Sequence, residues 1–408
     1  MGGGAGNQFS AASSALGYHT QLEYGLLMAL QRLNTEATFK LSFETLDDIV
    51  FEPKSSPTEL WQTKHHISHR GSLGNASPDL WKTLSNWIQV DNGELVCFLL
   101  TTDTAPHGSA AARLHPNRNS DDVKEAVNIL NEVATNSANT KLSRYYANYL
   151  SLDETKRLDL LSKVSTIDGA LKAETITDCL VMAVRLSVLP RYRIPLVERL
   201  RGWWHGRVIS HLQQIASGTP DWIDAIELEE QILLIAQSLR DDNLPLDFTL
   251  EEKPSQNIVD NDKRIFVEQM RLINLPSMHI IRAVHDHNRA FAQRSRWQRE
   301  DLLGINELIE YDEILIEEWE RLSLPTDNMS DPRLLSSEEK CASARALYTM
   351  IQNRQLPPIR PLVRAQYISF GSLHMLADNM KIGWHPDWQK HFAFDSIEKT
   401  KDDTEVEE

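Results

Sequence analysis

"ELWQTKHHI", residues 59–67, sets a tryptophan among polar residues at alternating positions. Successive side chains of a strand point to opposite faces. Read as a strand, the stretch puts Leu60, Gln62 and Lys64 on one face and Trp61, Thr63 and His65 on the other. Just upstream lie three carboxylates, Glu44, Asp47 and Asp48, the last directly before the strand-like run "IVF". Neighbouring strands lie about 4.8 Å apart. If these two strands pair, the Asp48 carboxylate, the Gln62 amide oxygen and the Lys64 ammonium are expected to converge.

That grouping has a chemical use. Hydrolysis of a phosphodiester needs a cation to neutralise phosphate charge and to acidify the attacking water. Mg²⁺ takes hard oxygen ligands and keeps several waters. Asp48 and Gln62 supply a charged and a neutral oxygen, so Mg²⁺ (or Mn²⁺) is the expected cofactor. Lys64 supplies a cation to orient water and stabilise developing charge, and Glu44 a second carboxylate.

Outward from this stretch, "SALGYHTQLEYGLLMALQRL" (14–33) repeats apolar residues at helical spacing, and "FKLSFETLDDIVFEP" (39–53) reads as two short strands. Ser77 and Pro78 open a helix over "DLWKTLSNWI", followed by a buried strand in "ELVCFLLTT" (94–102). The order is helix, three strands, helix, strand. From about residue 120 the signals are nearly all helical, with Ser120 as an expected cap and a capping box at Ser336 and Glu339. Breaks near 155 and 258 divide the chain into 1–155, a helical middle region 156–258, a helical domain 259–394 and an acidic tail 395–408. The fold class is α+β.

This element order, with Asp48 and Gln62-Thr63-Lys64, resembles the PD-(D/E)XK nuclease superfamily, in the branch where Gln replaces the acid. "ALGYHTQLEYGLL" and "LWKTLSNWI" are similar to effector nucleases of bacterial anti-phage operons that cut double-stranded DNA. The resemblance covers about residues 10–120. It implies a restriction-endonuclease-like α/β/α core, catalytic roles for Asp48, Gln62, Lys64 and Glu44, and Asp48 and Gln62 as metal ligands. It also implies a place for Gln21 near the substrate. His65, His66 and Arg70 follow the motif and are candidates to touch phosphates. At the other end, "RAFAQRSRWQREDLLGINELIEYDEILIEEW" and "LADNMKIGWHPDW" resemble the C-terminal coupling domain of effectors in three-component systems built around an ABC ATPase. That implies docking to the ATPase or to a middle component.

The formal charge of −16 argues against a protein that coats nucleic acid. Residues 1–120 hold 8 Lys plus Arg against 11 Asp plus Glu. DNA binding therefore needs the metal, a local basic rim (Lys64, Arg70, Arg113, Arg118), or assembly with other chains, a homo-oligomer included. "RYRIPLVERLRGWWHGRV" (191–208) offers arginines beside two tryptophans, either a phosphate-binding, base-stacking face or a helix with buried tryptophans. His285 and His287 are weak metal candidates. Three dispersed cysteines fit free thiols in a reducing cytoplasm. The start "MGGGAGNQFS" lacks a secretory pattern, and no run of about 18 apolar residues crosses a membrane. The rivals to a DNA nuclease are a non-catalytic interaction protein with a degenerate nuclease fold and an RNA-directed nuclease.

Overall fold

The computed structural model describes residues 5–45, 47–54, 57–64, 71–90, 95–170, 173–249, 252–324 and 335–392; for 5–14 and 173–174 only the backbone is described. The chain divides into two compact units, Met1–Ala236 and Gln237–Glu408. His65, His66, Arg70 and the acidic tail lie outside the described residues.

The first unit opens with the expected order: α1 (Ala5–Leu33), β1 (Phe39–Phe43), β2 (Ile49–Pro53), β3 (Thr58–Lys64), α2 (Pro78–Val90) and β4 (Leu95–Thr101). β1, β2 and β3 form an antiparallel meander, and β4 runs parallel to β3. Val50, Leu60, Cys97 and Leu99 pack with Trp81, Leu84 and Trp87 of α2 into one core. On α1, Gly25 lies against the Phe43 ring so closely that a Cβ would sit 2.5 Å from it. Arg32, also on α1, caps the Phe51 ring at 4.7 Å. Both faces of the sheet are therefore covered.

The middle of the chain departs from expectation. After α3 (Ala110–Arg113), α4 (Ser120–Asn136), α5 (Ser143–Leu150) and α6 (Glu154–Lys163), residues Val164–Ile167 form β5, parallel to β4. After α7 (Ala173–Ala183) and α8 (Arg193–Ala216), Ile223–Asp224 form β6 on the outer side of β1. The sheet order is β5-β4-β3-β2-β1-β6. Both edges come from the stretch read as helical, so this region belongs to the first unit. The cap of α4 is Asn119 and not Ser120; Asn119 and Asp122 form a capping box.

The Arg-Trp stretch proves to be packing. Trp204 of α8 is buried and its Nε1 donates to the Leu22 carbonyl at 2.9 Å. Arg201 pairs with Glu23 at 2.7 Å, and Arg207 with Asp221 and Glu227 at 2.8 and 2.7 Å. These two arginines are committed to carboxylates of their own chain, and Trp204 is committed to the core.

The second unit is helical: α9 (Ala225–Ser238) leads toward it, then α10 (Gln256–Asp260), α11 (Ile265–Leu272), α12 (Ser277–Arg299), α13 (Glu307–Ser323), α14 (Ser337–Gln352), α15 (Gln366–Asp378) and α16 (Trp388–Phe392). The Ser336–Glu339 capping box of α14 is present. α15 ends at Asp378. At the centre α12 and α15 meet at Gly371. Arg294 of α12 makes a two-pronged ion pair with Asp312, 2.8 Å on each arm, and donates to Ser372 at 2.9 Å. His287 is buried against the Phe266 ring, 4.8 Å between centroids. Burial first, and Arg264 beside it, hold its pKa down to about 4. That is packing chemistry, and no group of three His, Cys, Asp or Glu suited to a metal occurs among the described residues. None of the three cysteines is in a disulfide. No helix among the described residues is long and apolar enough to cross a membrane.

Candidate active site

A cleft of about 290 Å³ opens where β3 and β4 end, walled by α1 and the β1–β2 turn. The carboxyl ends of parallel strands are where α/β sheets characteristically leave room for ligands. Tyr18, Gln21, Glu44, Asp48, Thr63 and Lys64 line it. The volume is at the small end of ligand sites.

The β1–β2 turn presents the acids. Glu44 sits in the left-handed region at φ 54°, rare for a residue with a side chain. Such a conformation costs of order 1 kcal/mol and persists where neighbours hold it. Gln21 of α1 does the holding: its Nε2 donates to Glu44 Oε1 at 3.0 Å and to the Asp48 carbonyl at 2.7 Å. The Glu44 amide donates to the same carbonyl at 3.3 Å. Gln21 is buried, yet it lines the cleft. Its visible work is to set the two acids side by side. The Tyr18 hydroxyl has its pKa raised, by burial first and then by the charge of Glu44.

Asp47 and Asp48 part company. Strict alternation from Val50 would send Asp48 to the α2 side with Leu60 and Gln62. The chain bends here instead. Asp47 takes the α2 side, where Trp87 Nε1 donates to its Oδ2 at 2.5 Å. Asp48 accepts from the Thr63 amide and the Thr63 hydroxyl, both at 2.8 Å and both at Oδ2. The expected meeting of Asp48 with Gln62 is thus replaced by a meeting with Thr63. Gln62 is 5% exposed and does not line the cleft. Asp48, Glu44, Lys64 and Gln21 are brought together; Gln62 lies outside that group. Of the expected basic rim, Arg113 pairs with Asp122 at 3.0 Å, and Arg118 donates to Ser165 Oγ at 2.8 Å.

Burial raises the Asp47 pKa from 3.8 to about 6, against the lowering effect of the Trp87 bond. A raised folded-state pKa favours the protonated form, so its stabilising contribution is complete below about pH 4 and is lost as pH rises through 6. Asp47→Asn keeps an acceptor for Trp87 and cannot ionise. At pH 8 it should be more stable than the parent by about 2 kcal/mol, and the two should converge below pH 4. Urea unfolding at both pH values measures this; the same difference at each would contradict it.

A second constellation had no signal in the sequence. Ser42 Oγ lies 3.2 Å from His211 Nε2, and His211 Nδ1 lies 3.0 Å from Asp221 Oδ2. The pattern matches a hydrolase triad, but the setting does not. Ser42 and His211 are fully buried, and the Phe43 amide donates to the same Nε2 at 3.0 Å. A nucleophile needs access and a base with a free lone pair. This group braces β1 against α8.

Comparison with known proteins adds the following. No curated protein matches the chain. Solved structures that match include an Acinetobacter baumannii Cap4 SAVED/CARF-domain containing receptor with the cyclic trinucleotide 3′3′3′-cAAA, 12% identical over 67% of this chain and 58% of that one, TM-score 0.33. Another is the Moraxella osloensis Cap4 SAVED/CARF-domain containing receptor, 14% identical over 65% and 61%, TM-score 0.34. The chain thus spans about six-tenths of the length of these receptors. Residues 266–392, most of the second unit, match the family model of C-terminal domain 7 of the ABC-three component (ABC-3C) systems, and in this part the chain is similar to an ABC-3C component.

Proposed function

We propose that the first unit is a metal-dependent endonuclease of the PD-(D/E)XK type that cuts double-stranded DNA. In this reading it is the effector of a bacterial anti-phage system, and the second unit ties it to ABC-3C partners. The observation that carries the reading is the shared cleft of Asp48, Glu44 and Lys64.

The donors fit the implied ion. Mg²⁺ is commonly held by one or two carboxylates with the remaining positions left to water and phosphate. Asp48 and Glu44 are two such carboxylates on one wall, and Mn²⁺ would suit them equally. The bound ion would supply charge neutralisation on the phosphate and a more acidic water. Lys64, half-buried at the end of β3, would orient that water and meet the charge developing on phosphate oxygen. Gln21 and the bent β1–β2 turn keep the acids in register. Tyr18 offers a hydroxyl to the bound backbone. Weak DNA affinity of the acidic chain alone would restrain it until partners assemble.

The test is linear duplex DNA with Mg²⁺, with and without the ABC-3C partners. Wild-type protein should cut in at least the assembled state, chelation should stop it, and Asp48→Ala should lower the rate at least about 10³-fold. Equal cutting by Asp48→Ala would sink the assignment. A second reading, an interaction protein whose nuclease fold no longer cuts, draws on the position of Gln62 away from the cleft. It expects no cutting under any of these conditions.

A further inference from the structure

We propose that Thr63, the middle residue of Gln62-Thr63-Lys64, is the positioning residue for the Asp48 carboxylate. The inference rests on the metal-site reading above and gives one of its ligands an orientation. Thr63 places two donors on a single oxygen, Asp48 Oδ2: its amide and its hydroxyl, each at 2.8 Å. One donor restrains a carboxylate but lets it swing about the Cβ–Cγ bond; two donors from one residue fix its plane. With Oδ2 held in this way, cation binding falls to Oδ1. Thr63 lies on the face of β3 opposite Gln62 and lines the cleft beside Lys64. The β3 register with β4 sets it opposite Leu100, within a continuous ladder, so its backbone has little freedom. Asp48, by contrast, precedes β2 and stands at a bend. The rigid residue therefore orients the adaptable one. The amide contribution is common to every residue type but proline; a hydroxyl on Cβ belongs to Thr or Ser alone.

The probe is Mn²⁺ binding to the full chain, followed by electron paramagnetic resonance, a readout that needs no DNA and no turnover. Asp48→Ala locates the site: binding should fall to background. Thr63→Val is nearly isosteric and keeps β-strand preference while removing the donor. It should weaken Mn²⁺ about 10-fold or more, the range seen when a partner of a metal ligand is removed. Thr63→Ser restores the donor and should bind within about threefold of wild type. Thermal melting accompanies each variant; if valine does not fold, Thr63→Ala gives the same comparison with serine. Wild-type affinity in the valine or alanine variant would overturn the role of Thr63 and leave the metal site standing. Wild-type protein whose Mn²⁺ binding does not depend on Asp48 would overturn the metal site and this inference with it.

Discussion

Under the nuclease reading proposed above, replacing Lys64 by alanine should leave the chain folded and stop DNA cleavage, with a loss of at least about 10³-fold. The argument starts from position. Lys64 closes β3, where its carbonyl still accepts from the Thr102 amide at 3.2 Å, so the backbone there is pinned whatever the side chain. Its side chain reaches the cleft that Asp48 and Glu44 line. Removing an ammonium from a half-buried strand end costs little stability, as most surface changes stay within about 0.5 kcal/mol. Removing it from a site where negative charge develops loses electrostatic stabilisation that water does not replace. Lys64→Arg should recover little, because the guanidinium is larger and less compact than the ammonium. Duplex cleavage assays, with circular dichroism as the folding check, decide it. An alanine variant that cuts at the parental rate would remove Lys64 from the chemistry.

The largest effect on stability is expected at Gly371. A Cβ built there would lie 2.2 Å from the Asp286 carbonyl oxygen and 2.4 Å from the Ala290 Cβ. Neither is the far end of a flexible side chain, so α12 and α15 would have to move apart. The Arg294 contacts to Ser372 and Asp312 bridge the same region and would be strained with it. Overpacking of this kind costs about 3 kcal/mol, which for a unit of this size lowers the melting temperature by roughly 10 °C. Gly202→Ala is the control: nothing lies within 4 Å of its Cβ position, in the middle of α8. There alanine should be neutral or stabilising by up to about 1 kcal/mol. Scanning calorimetry of both variants tests the contrast; equal melting of Gly371→Ala and the parent would contradict the packing argument.

Much of the site was legible in the residues, and the failures have physical causes. α1 through β4 announce themselves because each carries a strong apolar period or a turn signal. Ser336 and Glu339 work as a local pair, so their capping box needed no tertiary knowledge. Asp48 and Lys64 reach one cleft, as expected. Gln62 was placed there by alternation along residues 59–67 and by pairing that strand with the one Asp48 precedes, which takes regular alternation at Asp48 for granted. The bend at Asp47–Asp48 breaks that rule, and what drives it, the bonds to Trp87 and Thr63, lies 40 and 15 residues away. β5 and β6 have four and two residues, too short for any period to register. The Arg-Trp stretch read as ambiguous because burial of Trp204 depends on α1, some 180 positions upstream.

The two outer strands of the sheet carry a consequence for biosynthesis. β1 gains its last neighbour only when residues 223–224 have left the ribosome, long after β1 to β4 have emerged. Until then a nascent chain exposes an unpaired β edge, the feature that invites adhesion between chains. A fragment cut at residue 155 would be born with both borders open, so a piece carrying the whole sheet of the first unit reaches past Asp224.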